Sequence, residues 1–234
     1  MNKKNYGFTL IELSIVLLIV GILLAGAIKP ISWQIENSRN KESLIQLEQI
    51  KQALLGFAAS SGYLPCPASI TSYGTQDRPN INSNCNLVAG YVPYKDLGIN
   101  PKTNKGILQD AFNQPIIYAL NNYKISGSQV FAKIDGIKNA GIHNLYKKNL
   151  LNVCTLSPCN SSTASTNRLT NHLPIVLISQ GKKNNNTSIT ESENIDNDKY
   201  FIMQDYRMDG FNDIFVWVSV HNIFATMLSS HILP

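Results

Sequence analysis

Charge is scarce in this chain. Asp, Glu, Lys and Arg make up 15% of its 234 residues, low for a soluble enzyme, while Asn and Ser are conspicuous. The net charge is +5, and Lys3 and Lys4 at the extreme N-terminus supply two of those charges. The remainder is too small a surplus to argue for nucleic acid by itself. Catalytic vocabulary is missing as well. There is no G-x-S-x-G, no phosphate-binding glycine loop and no dinucleotide fingerprint. His143, His172, His221 and His231 show no metal-ligand spacing, and none sits beside a nucleophile motif. No catalytic site assembles from these residues, so an enzyme is not expected. Cysteine is sparse too: Cys66, Cys85, Cys154 and Cys159 allow three pairings. A four-cysteine zinc site needs paired short spacings such as C-x2-C, and only one C-x4-C is present.

What the chain does have is a long apolar start. Residues 1–6, carrying Lys3 and Lys4, lead to Gly7, and residues 8–28 then hold one formal charge, Glu12. At 1.5 Å per residue such a run makes about 31 Å of helix, enough to cross a hydrocarbon core. A secretory signal has a shorter apolar run followed by a small-residue cleavage site. Here the processing-like point, Gly7-Phe8, precedes the apolar run, so cleavage there leaves the helix on the mature chain. A carboxylate inside a membrane helix costs roughly 2.5 kcal/mol or more, so Glu12 needs a partner or a function. Cleavage after Gly7 creates an α-amino group at Phe8, one tight turn from Glu12. A neighbouring helix shifted along the axis could bring its own amino terminus to this carboxylate. The residues point to a helix that stacks with copies or relatives of itself.

This stretch resembles the type IV prepilin signature of pilins and of the pseudopilins of type II secretion. Gly7 matches the cleavage glycine, Phe8 the N-methylated new terminus, and Glu12, after Thr9, Leu10 and Ile11, the inter-subunit assembly partner of Phe8. Gly21 and Pro30 fall where pilin helices loosen or bend. The resemblance is strongest over about the first 60 residues. It implies an α+β fold: a long N-terminal helix packed on a small antiparallel sheet. It also implies residues 1–7 as leader, 8–29 as the transmembrane half of the helix, 30–61 as its periplasmic half, and 62–234 as the globular domain. Implied partners are a prepilin peptidase, other pilins or pseudopilins, an inner-membrane assembly platform and inner-membrane lipid. The role is that of a structural, minor filament subunit, first in the inner membrane, then in a periplasmic pseudopilus or a surface pilus. A filament-displayed adhesin or DNA-uptake receptor is the alternative. With Lys3 and Lys4 in the cytoplasm, everything after Lys29 lies outside, where disulfides form. Cys66–Cys85 and Cys154–Cys159 are the expected local staples.

Further along, Pro30 is expected either to interrupt the helix or to mark its exit from the membrane, the whole helix running to roughly 50 residues. Helical character resumes over residues 32–59, with Leu44, Leu47, Ile50, Leu54, Phe57 and Ala58 on one stripe and residues 34–43 staying polar. Ser60-Ser61-Gly62 ends it. The Gly62-Tyr63-Leu64-Pro65-Cys66-Pro67 turn-off, and the turn-rich connector over residues 90–98, resemble segments of larger prepilin-type proteins. Residues 110–118 resemble the D-x-W/F-G-x-P-x-x-Y opening of the pseudopilin sheet, with Asn113 in the glycine position. Asparagine is the side chain best suited to replace glycine at positive φ. Strands are expected over 116–120, 130–134, 173–179, 199–204 and 213–220, and a helix over 221–233. Residues 180–186 read as a polar loop, and 140–171 as a helix followed by a disulfide-pinned loop.

Two clusters invite chemistry. Asp196, Asp198, Asp205, Asp209 and Asp213 gather late in the chain, and major pseudopilins carry calcium in a late loop. Solvated turn aspartates are the first reading and Ca2+ the alternative; no other cofactor is expected. Tyr118, Tyr123, Tyr146, Lys147, Lys148, Lys182 and Lys183 could form a basic-aromatic face for DNA, but they are dispersed, and a solvated surface is the reading adopted.

Overall fold

The computed structural model describes residues 7, 9–100, 103–146, 148, 150–183, 189–205 and 210–233, with the side chains of residues 24–30, 103, 104 and 189 outside that set. The chain divides into two units, Met1–Arg39 and Asn40–Pro234, and the boundary falls inside the first helix. That helix, α1, covers Leu10–Ser61, 52 residues, and runs through Pro30 without the interruption that was one of the two expectations there. Proline removes one donor, and the ladder on either side of it persists. Gly62 stops the helix. Its φ of +76° lies in the left-handed region, and its N–H donates to Ala58 O at 2.9 Å.

After α1 come β1 (Ala89–Tyr91), β2 (Thr103–Asn104), β3 (Ile107–Leu108), β4 (Ile116–Leu120), β5 (Lys124–Ile125) and β6 (Ser128–Gln129). Two short helices follow, α2 (Gly136–Ala140) and α3 (Ile142–Tyr146), then β7 (Leu151–Cys154), β8 (Arg168–Leu173) and β9 (Ile175–Ser179). The chain ends with α4 (Ile189–Glu193), β10 (Tyr200–Ile202), β11 (Ile214–Val218) and α5 (Val220–Ser229). The main sheet has the order β1-β4-β9-β11, and each neighbouring pair is antiparallel. β9 lies inside it with all five residues buried, as its unbroken apolar run predicts.

Period-two alternation sends successive residues of this sheet to opposite faces. Ile116, Tyr118, Leu120, Ile175, Leu177, Val216 and Val218 share one core with Leu47, Ile50, Leu54 and Ala58 of α1 and with Ile223, Phe224 and Met227 of α5. Ile117, Ala119, Val176, Ile178 and Phe215 form a second core with Leu151, Val153, Leu173 and Phe201. Those four residues belong to a second sheet of order β10-β7-β8. The architecture is α+β, with the C-terminal half of α1 packed on an antiparallel sheet.

Several details depart from expectation. β10 pairs with β7 in parallel, which an all-antiparallel picture lacks; the long intervening chain through β8, β9 and α4 allows the crossover. Residues 130–134 form turns instead of a strand. Val130, Phe131 and Ala132 are apolar because they fill the first core, and Phe131 O accepts the Leu64 N–H at 2.8 Å. The supposed connector over 90–98 begins inside β1. Within the α1 stripe, Leu44 is 43% exposed, whereas Ser43, expected on the polar face, is fully buried and accepts the Ala111 N–H.

The sheet edge at β1 is closed by side chain and loop. Asn197 Oδ1 accepts the N–H groups of Val88 and Ala89, both at 2.9 Å. Ala68 and Tyr91 exchange two backbone bonds of 2.8 Å. Cys66 is bonded to Cys85, and Cys154 to Cys159.

Candidate functional site

Thr9 and Glu12 build the start of α1. The Glu12 N–H donates to Thr9 Oγ1 at 3.3 Å, and Thr9 Oγ1 reaches Glu12 Oε2 at 3.5 Å. This is the T-x-x-E spacing of an N-terminal cap, with a carboxylate in the first turn where the helix dipole favours it. Glu12 therefore has a local role that the reading as an inter-subunit partner did not include. The signal was present in the Thr9–Glu12 spacing. Gly7 is exposed, and a Cβ built on it meets nothing within 4 Å. Phe8 lies outside the described residues.

Between Glu12 and Leu23 the helix has no polar face. Every side chain from Thr9 to Leu23 is exposed, including Leu10, Ile11, Leu13, Leu17 and Leu23 at 53–89%. A helix apolar all round is stable when lipid or other helices cover it. Among the described residues no helix is long and apolar enough to cross a membrane. The expected span of 8–29 includes Phe8 and the side chains of 24–30, which are outside that set.

In the second unit, Asp110 organises the entry to the main sheet. Its Oδ1 accepts the N–H groups of Phe112 and Gln114, both at 2.8 Å, and its Oδ2 accepts the Ser179 hydroxyl at 2.6 Å. Asn113 beside it has φ +62°, the conformation foreseen for the residue replacing glycine. Burial raises the Asp110 pKa, and these hydrogen bonds oppose the rise. Gly181, just past β9, is held under the Asn212 backbone: an added Cβ would lie 2.5 Å from Asn212 O.

Among the described residues, the late aspartates do not converge on one point. Glu193, Asp196 and Asp198 bring carboxylate oxygens within 4.8 Å of one another. Desolvation, then the Asp198 charge, push the Asp196 pKa up to about 6. Three carboxylates supply only part of the six to eight oxygens that calcium takes. Asp213 is buried elsewhere. It accepts the Asn194 amide at 2.8 Å, and desolvation raises its pKa to about 7. Asp205 is exposed, and Asp209 lies outside the described residues.

The basic-aromatic set also separates. Tyr118 is fully buried and donates its hydroxyl to Pro65 O at 2.9 Å, so it presents nothing to a ligand. Tyr123 does meet Lys148, whose ammonium lies 5.4 Å from the ring centroid. Tyr146 stacks on His172 and meets His221 edge-on. This histidine grouping comes from α3, β8 and α5, and no spacing in the sequence announces it. Lys147 lies outside the described residues.

Residues 2–28 match the family model described as the prokaryotic N-terminal methylation motif. The match covers Gly7 and the apolar start of α1, and it is consistent with a prepilin-type pilin or pseudopilin precursor. No curated protein and no solved structure matches the chain.

Proposed function

We propose that this chain is a structural subunit of a type IV-like filament, a pilin or a pseudopilin of type II secretion. The observation that carries the reading is the methylation motif over residues 2–28, a range that includes Gly7, Phe8 and Glu12. In this proposal a prepilin peptidase, working at the inner membrane, cuts after Gly7 and methylates Phe8. Lys3 and Lys4 stay cytoplasmic, and the domain lies in the periplasm. The uncovered apolar surface from Leu10 to Leu23 then supplies cohesion, first with lipid and afterwards with neighbouring helices on an assembly platform. Glu12, already ordered by Thr9, sets axial register by pairing with a neighbour's Phe8 amino group. Glu12 also speaks against an extreme-tip initiator, so a minor subunit along the filament fits better. The α1-on-sheet architecture supports the same reading.

Gly7→Ala tests it. The expected outcome is a chain that keeps its leader, seen by mass spectrometry of the purified membrane-bound protein. A mature mass unchanged from the native one overturns the requirement for Gly7, and a native chain whose mass still includes residues 1–7 overturns the proposed cleavage. Deleting the gene in its host, with secretion and surface pili scored side by side, separates the two kinds of filament.

A further inference from the structure

Charge is divided unevenly within the second unit. Residues 121–172 contain six basic side chains and one acidic, whereas residues 189–213 contain seven acidic and two basic. On the basic side, the Lys148 ammonium lies against the Tyr123 ring, beside Lys124 in β5. Ile125 and Lys133 line one cleft of about 170 Å3 whose other walls include Val130 and Ala140. Lys124, Lys133 and Lys138 are exposed, as is Asp135, the single carboxylate of the group. Ile125, Ile134 and Ile142 are exposed among them at 43, 42 and 39%. On the acidic side, Ile195 is 53% exposed and flanked by the converging Glu193, Asp196 and Asp198. Among the described residues, Lys124, Lys133, Lys138 and Lys148 make no ion pair with Glu193, Asp196, Asp198 or Asp205.

We propose that the acidic projection around Ile195 docks into the basic cleft at Ile125 and Lys133 of a second copy of this chain. Each side carries what the other lacks. An apolar side chain flanked by three carboxylates, in a groove that also holds Lys182 and Lys183, faces an apolar-floored cleft with Lys133 in its wall and Lys124 and Lys138 exposed nearby in the chain. An interface needs such an apolar centre, and complementary charge sets its register and partner choice. The two surfaces differ, so the contact is head-to-tail, the kind that propagates into rings or helical filaments. The inference rests on residues 121–213 alone and stands apart from any role of the N-terminal motif.

The test uses the full chain in detergent micelles, with one of two samples isotope-labelled. A carbodiimide joins Asp198 of one copy to Lys138 or Lys148 of another, and mass spectrometry scores only these mixed-isotope links. Association through residues 10–23 alone contributes the same background of links in the native chain and in every variant. The native chain is expected to give the links at low salt and to lose them at high salt. Glu193→Lys with Asp196→Lys, and separately Lys124→Glu with Lys133→Glu, should each reduce the links about tenfold or more. Mixing the two variants should restore them, because each retains the face that the other has lost, and misfolded chains could not recover in this way. Native-level links in either variant alone, or no recovery on mixing, overturn the proposal.

Discussion

The two ends of α1 obey opposite rules. From Leu10 to Leu23 the helix is apolar on all sides and every side chain is exposed. From Ser43 to Ala58 it is mixed in composition, and one face, Leu47, Ile50, Leu54 and Ala58, is at most 1% exposed. Hydrophobicity alone therefore misjudges which part of the helix supports the fold. The more apolar end buries nothing in the isolated chain, whereas the more polar end packs on the sheet. What matters is whether the apolar groups recur on one stripe with a complementary surface in the same chain.

Truncation at matched positions breaks the contrast most sharply. Leu54→Ala should lower the unfolding free energy by about 2–5 kcal/mol, because the side chain is fully enclosed. Leu17→Ala, at 63% exposure, should change it by less than about 0.5 kcal/mol. Urea unfolding of the full chain in micelles, followed by tryptophan fluorescence, measures both; equal effects would remove the distinction. Next in size is the staple that follows the buried end. Opening Cys66–Cys85, which spans 19 residues, should cost about 3 kcal/mol, against about 2 for the five-residue Cys154–Cys159 loop. The matching Cys→Ser pairs, compared by the same unfolding assay, give both values.

A further effect lies in pH dependence, and it belongs to the second unit. The folded-state pKa of Asp213 is raised to about 7. Below about pH 4 the carboxyl is protonated in both folded and unfolded chains, and no penalty applies. Between about 4 and 7 the unfolded chain releases the proton while the folded chain holds it, so stability falls as pH rises. Asp213→Asn should flatten that slope, and a thermal melt series across this range reads it. An unchanged slope would assign the dependence to Asp196 and its neighbours.

Much of this was legible in the sequence. The α1 stripe and α5 follow from periodicity, β4, β9 and β11 from runs of apolar, branched and aromatic residues, and Asn113 at positive φ from the resemblance of residues 110–118 to the pseudopilin sheet opening. These signals are local, and local order decides them. The failures are tertiary. Val130 to Ala132 are apolar to fill a core, and their short run looks the same as a strand. Ser43 is buried because Ala111, 68 positions away, needs an acceptor. The three residues of β1 are too few to show a period. The acidic projection and the basic cleft are dispersed over dozens of residues, so composition shows only a modest net charge.

Asn197 has a consequence beyond holding β1 in place. An unpaired outer strand is a template on which a foreign strand can grow, and proteins suppress such growth deliberately. Here a single amide oxygen, 109 positions from Val88 and 108 from Ala89, occupies the donors that an invading strand would seek. A molecule that leaves so much oily surface bare along one helix cannot also tolerate a sticky sheet. Asn197 works as a stopper, leaving copies of the chain fewer wrong ways to join.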